Sequence, residues 1–251
     1  MAKVAILSDI HGNLPALEAV IKDIRRRKIK RIVCLGDLVG KGPQPAEVVD
    51  RIREICELTV QGNWDLGIQE PQVKDAGLWQ QERLGEERLR YLKDLPFSAD
   101  LHLSGRWLRL LHASSKSVYH RIPRKASKKE RLSLFQHTEL TGFPEGEFEG
   151  RTPDVVGYGD IHVPFVQTVK TKEGHGLLLF NTGSVGAPYD GIPQASYTIV
   201  EGKPDGGADE PFSIQMVRVP YNVEQVIAIA EQVQLPNLER FRYEMRTGLE
   251  Q

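Results

Sequence analysis

The stretch KVAILSDIHGNLPALEAVIKDIRRRKIKRIVCLGD (3–37) sets the architecture. Its opening, KVAILS, carries the unbroken apolar run of a strand buried on both faces. From Leu14 the spacing changes. Leu14, Leu17, Val20, Ile21 and Ile24 recur at helical intervals, with Pro15 tolerated in the first turn. The basic run RRRKIKR (25–31) complements the negative end of that helix's dipole, so it needs no nucleic acid to explain it. RIVCLG then reads as a second buried strand. The pattern repeats in QPAEVVDRIREI, a helix with an early proline, and ELTVQG, a third strand. Strand–helix–strand–helix–strand implies parallel strands joined by right-handed crossovers.

Sheets of this kind bind ligands beyond the carboxyl ends of their strands. Those ends are Ser8-Asp9-Ile10-His11, Gly36-Asp37 and Gly62-Asn63. Three strands therefore deliver polar, metal-type donors to one rim.

The rest of the chain is less regular. Residues 72–95 are expected to be helical, with Leu84, Leu89 and Leu92 as a stripe. SADLHLSGRWLRLLHA (98–113) reads as a hairpin turning at Ser104-Gly105. Residues 114–152 are basic and irregular, with a helix expected near 127–140. DVVGYG, FVQTVKT, GLLLFN, ASYTIVEG and FSIQMVRV are strands, and short glycine-containing turns between some of them predict a second, more antiparallel sheet. KPDGGADEP reads as a surface loop. A helix, NVEQVIAIAEQVQ, and a polar tail complete the reading.

Bulk properties are those of an ordinary soluble protein. The 251 residues are 40% hydrophobic and 27% charged, with a net charge of −1. That balance gives no general attraction to nucleic acid or membrane. Two cysteines make no disulfide framework, and Cys34 reads as a core residue. The apolar run after Met1 is too short for a signal peptide, and no segment is long enough to span a bilayer, so the cytoplasm is the expected location.

Candidate ligands at strand ends are Asp9, His11, Asp37, Asn63, His112, Asp160 and His162. All offer oxygen or imidazole nitrogen and none a thiolate. That set favours manganese, with iron, zinc or magnesium as alternatives. One carboxylate can bridge two such ions about 3.5–4 Å apart, as in two-metal hydrolases. DIHGN (9–13), GDLVGKGP (36–43), GNWD (62–65), LHAS (111–114) and GDIH (159–162) together resemble the five blocks of calcineurin-like metallophosphoesterases, in order and spacing. NTGSVGAP (181–188) resembles a further block of the small bacterial phosphodiesterases and diadenosine polyphosphate hydrolases.

The resemblance implies an α/β fold: a four-layer α-β-β-α sandwich of two mixed sheets. It would form a single domain over 1–251, with cap-like insertions near 66–97 and 115–152 contributing a small helical and basic cap. It implies two divalent ions, one held by Asp9, His11, Asp37 and His162 and the other by Asp37, Asn63, His112 and Asp160, with Asp37 bridging. It also implies attack on phosphorus by a metal-bridging hydroxide, with Asp37 and Asn63 as catalytic residues.

Two departures from the family pattern carry information. Trp64 stands where the family usually has the histidine that protonates the leaving oxygen, a role worth about 10²–10⁴-fold. An indole cannot donate that proton at neutral pH, but a base stacked on an aromatic ring gains about 1–3 kcal/mol. Asp160 stands where a histidine is usual, and adds negative charge to the second metal's site. Arg121 and Arg124, in the basic segment after His112, are candidate phosphate forks. The expected substrates are small phosphodiesters or nucleotide phosphoanhydrides, diadenosine polyphosphates foremost. A broad-specificity phosphomonoesterase and a non-catalytic metal- or ligand-binding scaffold are the alternatives.

Overall fold

A computed structural model of the chain describes residues 1–145 and 149–251. The first sheet grows from β1 (Ala2–Leu7), whose backbone pairs in parallel with β2 (Arg31–Cys34), itself parallel to the two-residue β3 (Leu58–Thr59). Helices α1 (Leu14–Arg26) and α2 (Pro45–Ile55) form the crossovers. Asn13 starts α1 by accepting from the Ala16 N–H at 3.1 Å, and Arg25 and Arg26 occupy its last turn.

The second sheet contains β4 (Ser98–Leu103), β5 (Arg106–Leu111), β6 (Val155–Tyr158), β7 (Phe165–Lys170) and β8 (Gly176–Asn181), in the order β4-β5-β6-β8-β7. The expected hairpin is present. Ser104 and Gly105 both have positive φ, 49° and 64°, as a type I′ turn requires. Two expectations are corrected. The last two strands, β9 (Ala195–Gly202) and β10 (Ser213–Val219), join the first sheet, antiparallel to β1. Each sheet therefore has two parallel and two antiparallel pairings, and the second is no more antiparallel than the first.

The period-two alternation of the strands builds the sandwich. Val4, Ile6, Val33 and Leu35 point to an inter-sheet core with Leu108, Leu110, Val155 and Phe180. Ala5, Leu7, Ile32 and Cys34 point the other way, under Leu17, Val20 and Ile21 of α1 and Val48 and Ile52 of α2. Beyond the second sheet, Leu111, Val156 and Tyr158 pack with Ile122, Leu134 and Phe135. The short helix α5 (Lys128–Ser133) lies in this outer layer and stops well before residue 140. Two mixed sheets with helices outside match the expected class.

Helix α4 (Asp75–Lys93) replaces the expected 72–95 helix and is broken at Gly85, whose φ and ψ are 68° and 168°. After α6 (Val223–Gln232), the supposed polar tail is a helix, α7 (Leu238–Thr247). Its Phe241 and Met245 pack on Val226, Ile227 and Ala230, a stripe of few apolar residues diluted by charge. Among the described residues, no helix is long and apolar enough to cross a membrane.

Asp23 fastens α1 to β9. Its buried carboxylate accepts from Arg27 Nε at 2.7 Å and from the Tyr197 hydroxyl at 2.8 Å. Burial works to raise its pKa, but the Arg27, Tyr197 and Arg26 bonds prevail and lower it. A lowered folded-state pKa gives stability that is complete above the unfolded value and fades as pH falls through the folded one. Asp23→Asn should therefore cost about 1–3 kcal/mol at pH 7 in chemical unfolding, with the gap to wild type closing in strong acid.

Candidate metal centre

The strand-end residues converge on one edge of the sandwich. β1 leads into Asp9 and His11, β2 into Asp37, β5 into His112, and β6 into Asp160 and His162. All six are at most 4% exposed. Asn63 opens α3 (Asn63–Gly67), just past β3.

Ser8-Asp9-Ile10-His11 and Gly159-Asp160-Ile161-His162 end corresponding strands of the two sheets with the same backbone pattern. Asp and His adopt positive φ in both, 54° and 49° in the first and 63° and 58° in the second. Asp37 does so too, at 54°. Each such residue costs about 1–3 kcal/mol unless its surroundings enforce it. They do: Asp9 N–H donates to Gly36 O at 2.9 Å, His11 N–H to Asp37 O at 3.0 Å, and Asp160 N–H to Asp9 Oδ2 at 3.1 Å. Two glycines permit the close approach. A Cβ on Gly62 would lie 2.1 Å from Asp37 Oδ1, and one on Gly159 would lie 2.6 Å from Asp9 Oδ2.

The three histidines are oriented alike. His11 Nδ1 meets Val39 O at 2.8 Å, His112 Nδ1 meets Leu35 O at 2.7 Å, and His162 Nδ1 meets Ala187 O at 2.5 Å. A carbonyl only accepts, so each Nδ1 carries a proton and each Nε2 is turned to the centre. His11 Nε2 and His162 Nε2 lie 3.2 Å apart, and His162 Nε2 lies 3.2 Å from Asp9 Oδ1. Among the described residues, Asp9 Oδ1 is buried without a hydrogen-bond donor. Asp37 faces both sides, with Oδ2 3.6 Å from His11 Nε2 and Oδ1 3.5 Å from His112 Nε2. Two ligand groups result: Asp9, His11 and His162, and Asp9, Asp37 and His112. Buried carboxylates and imidazole nitrogens brought this close together fit a divalent pair.

The proton equilibria express the same crowding. Burial and the Asp9 and Asp65 charges push the Asp37 carboxyl well above its ordinary range, against the pull of His112. Burial opposes the charged form of His112, but Asp37, Asp9 and Asp160 prevail and raise it to about 9. The His112 imidazolium therefore donates its second N–H to Asn63 Oδ1 at 2.9 Å at neutral pH. Burial, His162 and Lys41 hold His11 well below its usual value, so its Nε2 keeps a free lone pair.

Asp160 is placed differently from the other acids. Its Oδ2 and Oδ1 accept from Arg121 Nε and Nη2 at 3.2 and 3.3 Å, and it belongs to neither ligand group. Arg121 thus reaches the cluster through Asp160. Arg124 lies 5.9 Å over the Phe165 ring instead. Trp64 is 41% exposed and meets the His11 ring edge-on at 6.0 Å. Its indole covers Gly40, where a Cβ would lie 2.5 Å from a ring carbon. The same indole lines a cavity of about 460 Å³ that also touches Lys41, Asn63 and Trp79.

Several residues outside the seven candidate ligands shape the centre. Asp65 accepts from the backbone N–H of Asp37, Leu38 and Gly62 at 2.7, 2.9 and 3.0 Å. Its place in the GNWD block is visible in the sequence, but its partners around Asp37 and Leu38 are not. Ser184 Oγ donates to Asp9 O at 2.7 Å, giving the NTGSVG block its positioning task. Tyr189 stacks on His162 with centroids 4.6 Å apart, and its oxygen accepts from Lys41 Nζ at 2.8 Å. No local pattern announces Tyr189.

Residues 2–205 match the calcineurin-like phosphoesterase superfamily domain, and the chain belongs to that superfamily. It is accordingly a hydrolase acting on phosphoric esters. Members usually bind divalent metals, and the two ligand groups suit that habit. An uncharacterized protein of Methanocaldococcus jannaschii is 34% identical over 88% of this chain and 89% of its own. Phosphodiesterase YfcE of Escherichia coli is 28% identical over 80% of this chain and 88% of its own. A metallophosphoesterase from Sphaerobacter thermophilus superposes with a TM-score of 0.76 at 26% identity, covering 99% of each chain.

Asp65→Ala would leave three buried backbone N–H groups without partners, at about 1–3 kcal/mol each. The expected result is a strongly lowered Tm together with weakened divalent-metal binding by calorimetry.

Proposed function

We propose that the chain is a cytoplasmic, dinuclear metal-dependent hydrolase of phosphodiesters or nucleotide phosphoanhydrides, diadenosine polyphosphates foremost. Asp9, His11, Asp37 and His162 would hold one ion. Asp37, Asn63, His112 and Asp160 would hold the other. When bound, such a pair supplies polarisation of phosphoryl oxygens and a nucleophile drawn from water at neutral pH.

The chain's own groups set the substrate class. Asn63 stands beside the centre with Oδ1 2.9 Å from His112 Nε2, and its amide Nδ2 would orient a phosphate oxygen. Lys41 brings positive charge to the cavity mouth, next to the rings of Trp64 and Tyr189 at 5.7 and 5.0 Å. The observation that carries the reading is the Trp64 indole, exposed at the centre where the family's acid usually stands and forming one wall of the cavity. Without that acid, leaving groups that depart as stable anions are favoured, as nucleotides do from a polyphosphate.

Asp160 has a second reading with its own support. Both of its oxygens accept from Arg121. In that reading Asp160 aims Arg121 at the phosphate and leaves the second ion to the other ligands. Metal analysis of Asp160→Ala separates the two: loss of one ion supports ligation, whereas two retained ions with a raised KM support positioning.

Asp37→Ala removes the carboxylate whose two oxygens face His11 and His112. It should lower kcat by at least about 10³-fold with Mn²⁺ and bis(p-nitrophenyl) phosphate; near-normal turnover would overturn the dinuclear reading. Trp64→Ala should raise KM for diadenosine tetraphosphate by about tenfold while affecting p-nitrophenyl phosphate far less. Equal effects on both would remove the stacking role.

A further inference from the structure

The family match ends at residue 205, yet the cavity beside the centre is closed by residues beyond it. Leu235, Asn237 and Phe241 form one side, α4 contributes Trp79 and Gln80, and Asn63, Trp64 and Lys41 make the wall shared with the centre. Its volume of about 460 Å³ is within the usual range for small-molecule sites. Helix α7 is tied into the same place. Glu244 Oε2 accepts from the Tyr189 hydroxyl at 2.7 Å, and Tyr189 both stacks on His162 and accepts from Lys41. Asn13 Nδ2, two residues past His11, reaches Met245 Sδ at 3.6 Å.

We propose that this cavity is the subsite for the nucleoside portion of the substrate, and that helix α7 is thereby the specificity element of the enzyme. The inference rests on the phosphoesterase reading of the adjoining centre. Three features select a nucleoside. Trp64 and Trp79 both line the cavity; the Arg83 guanidinium covers one Trp79 face at 3.6 Å, so the exposed Trp64 indole offers the stacking surface, and stacking accepts any base. Asn237 sits at the start of α7 with φ of 60° and makes no side-chain cap bond, so its amide can read a base edge. Lys41 lines the cavity and bonds Tyr189, which stacks on His162, so its charge lies between the cavity and the centre and suits a phosphate chain. An acyl chain in the same space would press the Asn237 amide and the Lys41 ammonium against hydrocarbon, which is costly.

Two variants test the subsite. Ala76→Phe, in the first turn of α4, fills the cavity from its lining. Asn237→Gly removes the amide but keeps the left-handed turn. Adenosine 5′-monophosphate should quench the tryptophan fluorescence of the wild type. Its Kd should rise about tenfold in Ala76→Phe and about threefold in Asn237→Gly. With Mn²⁺, the kcat/KM ratio of diadenosine tetraphosphate to bis(p-nitrophenyl) phosphate should fall by about tenfold in Ala76→Phe, through KM. Nucleotide binding unchanged in both variants overturns the subsite. So does a wild type that turns over the p-nitrophenyl diester but neither binds nor hydrolyses the nucleotides. A wild type that binds the nucleotide in a variant-sensitive way, yet hydrolyses no ester with metal present, upholds the subsite and overturns the catalytic reading.

Discussion

Burial of negative charge at one edge of the sandwich is the constraint that organises this molecule. Asp9 and Asp37 lie at 0% and 1% exposure, a few ångströms from three imidazoles. Carboxylates so enclosed need compensation by protons, cations or directed donors. Burial and neighbouring acids raise the Asp37 carboxyl, and the same acids raise His112, so a divalent pair would compete with protons at this centre. The surrounding fold serves to hold these groups together against their preference for water.

Holding them uses backbone strain. Five of the seven candidate ligands sit in the left-handed region. Hydrogen bonds from other strand-end loops secure them, as when Asp65 takes three N–H groups around Asp37 and Ser184 and Gly186 hold the Asp9 carbonyl. The repeated Asp-Ile-His turns at β1 and β6 bring equivalent geometry from two sheets. The two copies differ in use: Asp9 faces the imidazoles, whereas Asp160 is gripped by Arg121. The same local backbone therefore gives two electrostatic environments, decided by what approaches from outside.

The centre is continuous with the C-terminal part of the chain. Glu244, Tyr189, Lys41 and Trp64 run from α7 to the rim of the centre through two hydrogen bonds and ring contacts. Burial works to raise the Glu244 pKa, but Arg240, Tyr189 and Lys41 prevail and keep it lowered. A helix outside the family match is thus built into the surroundings of the candidate centre.

Local pattern alone determined the three leading strands and their crossovers, because the apolar period is written residue by residue. It also marked seven candidates at strand ends, of which Asp9, His11, Asp37, His112 and His162 fall in the two ligand groups. Only the tertiary structure decided the rest. The β9–β10 hairpin joins the first sheet because β1 offers a free edge, a fact absent from the hairpin's own residues. Helix α7 was hidden because its few apolar residues gain their meaning only against α6. Asp65's partners, the Arg121 grip on Asp160 and the stacking of Tyr189 on His162 all join positions far apart in sequence. Such contacts depend on which surfaces meet, and that is settled by packing rather than by any local period.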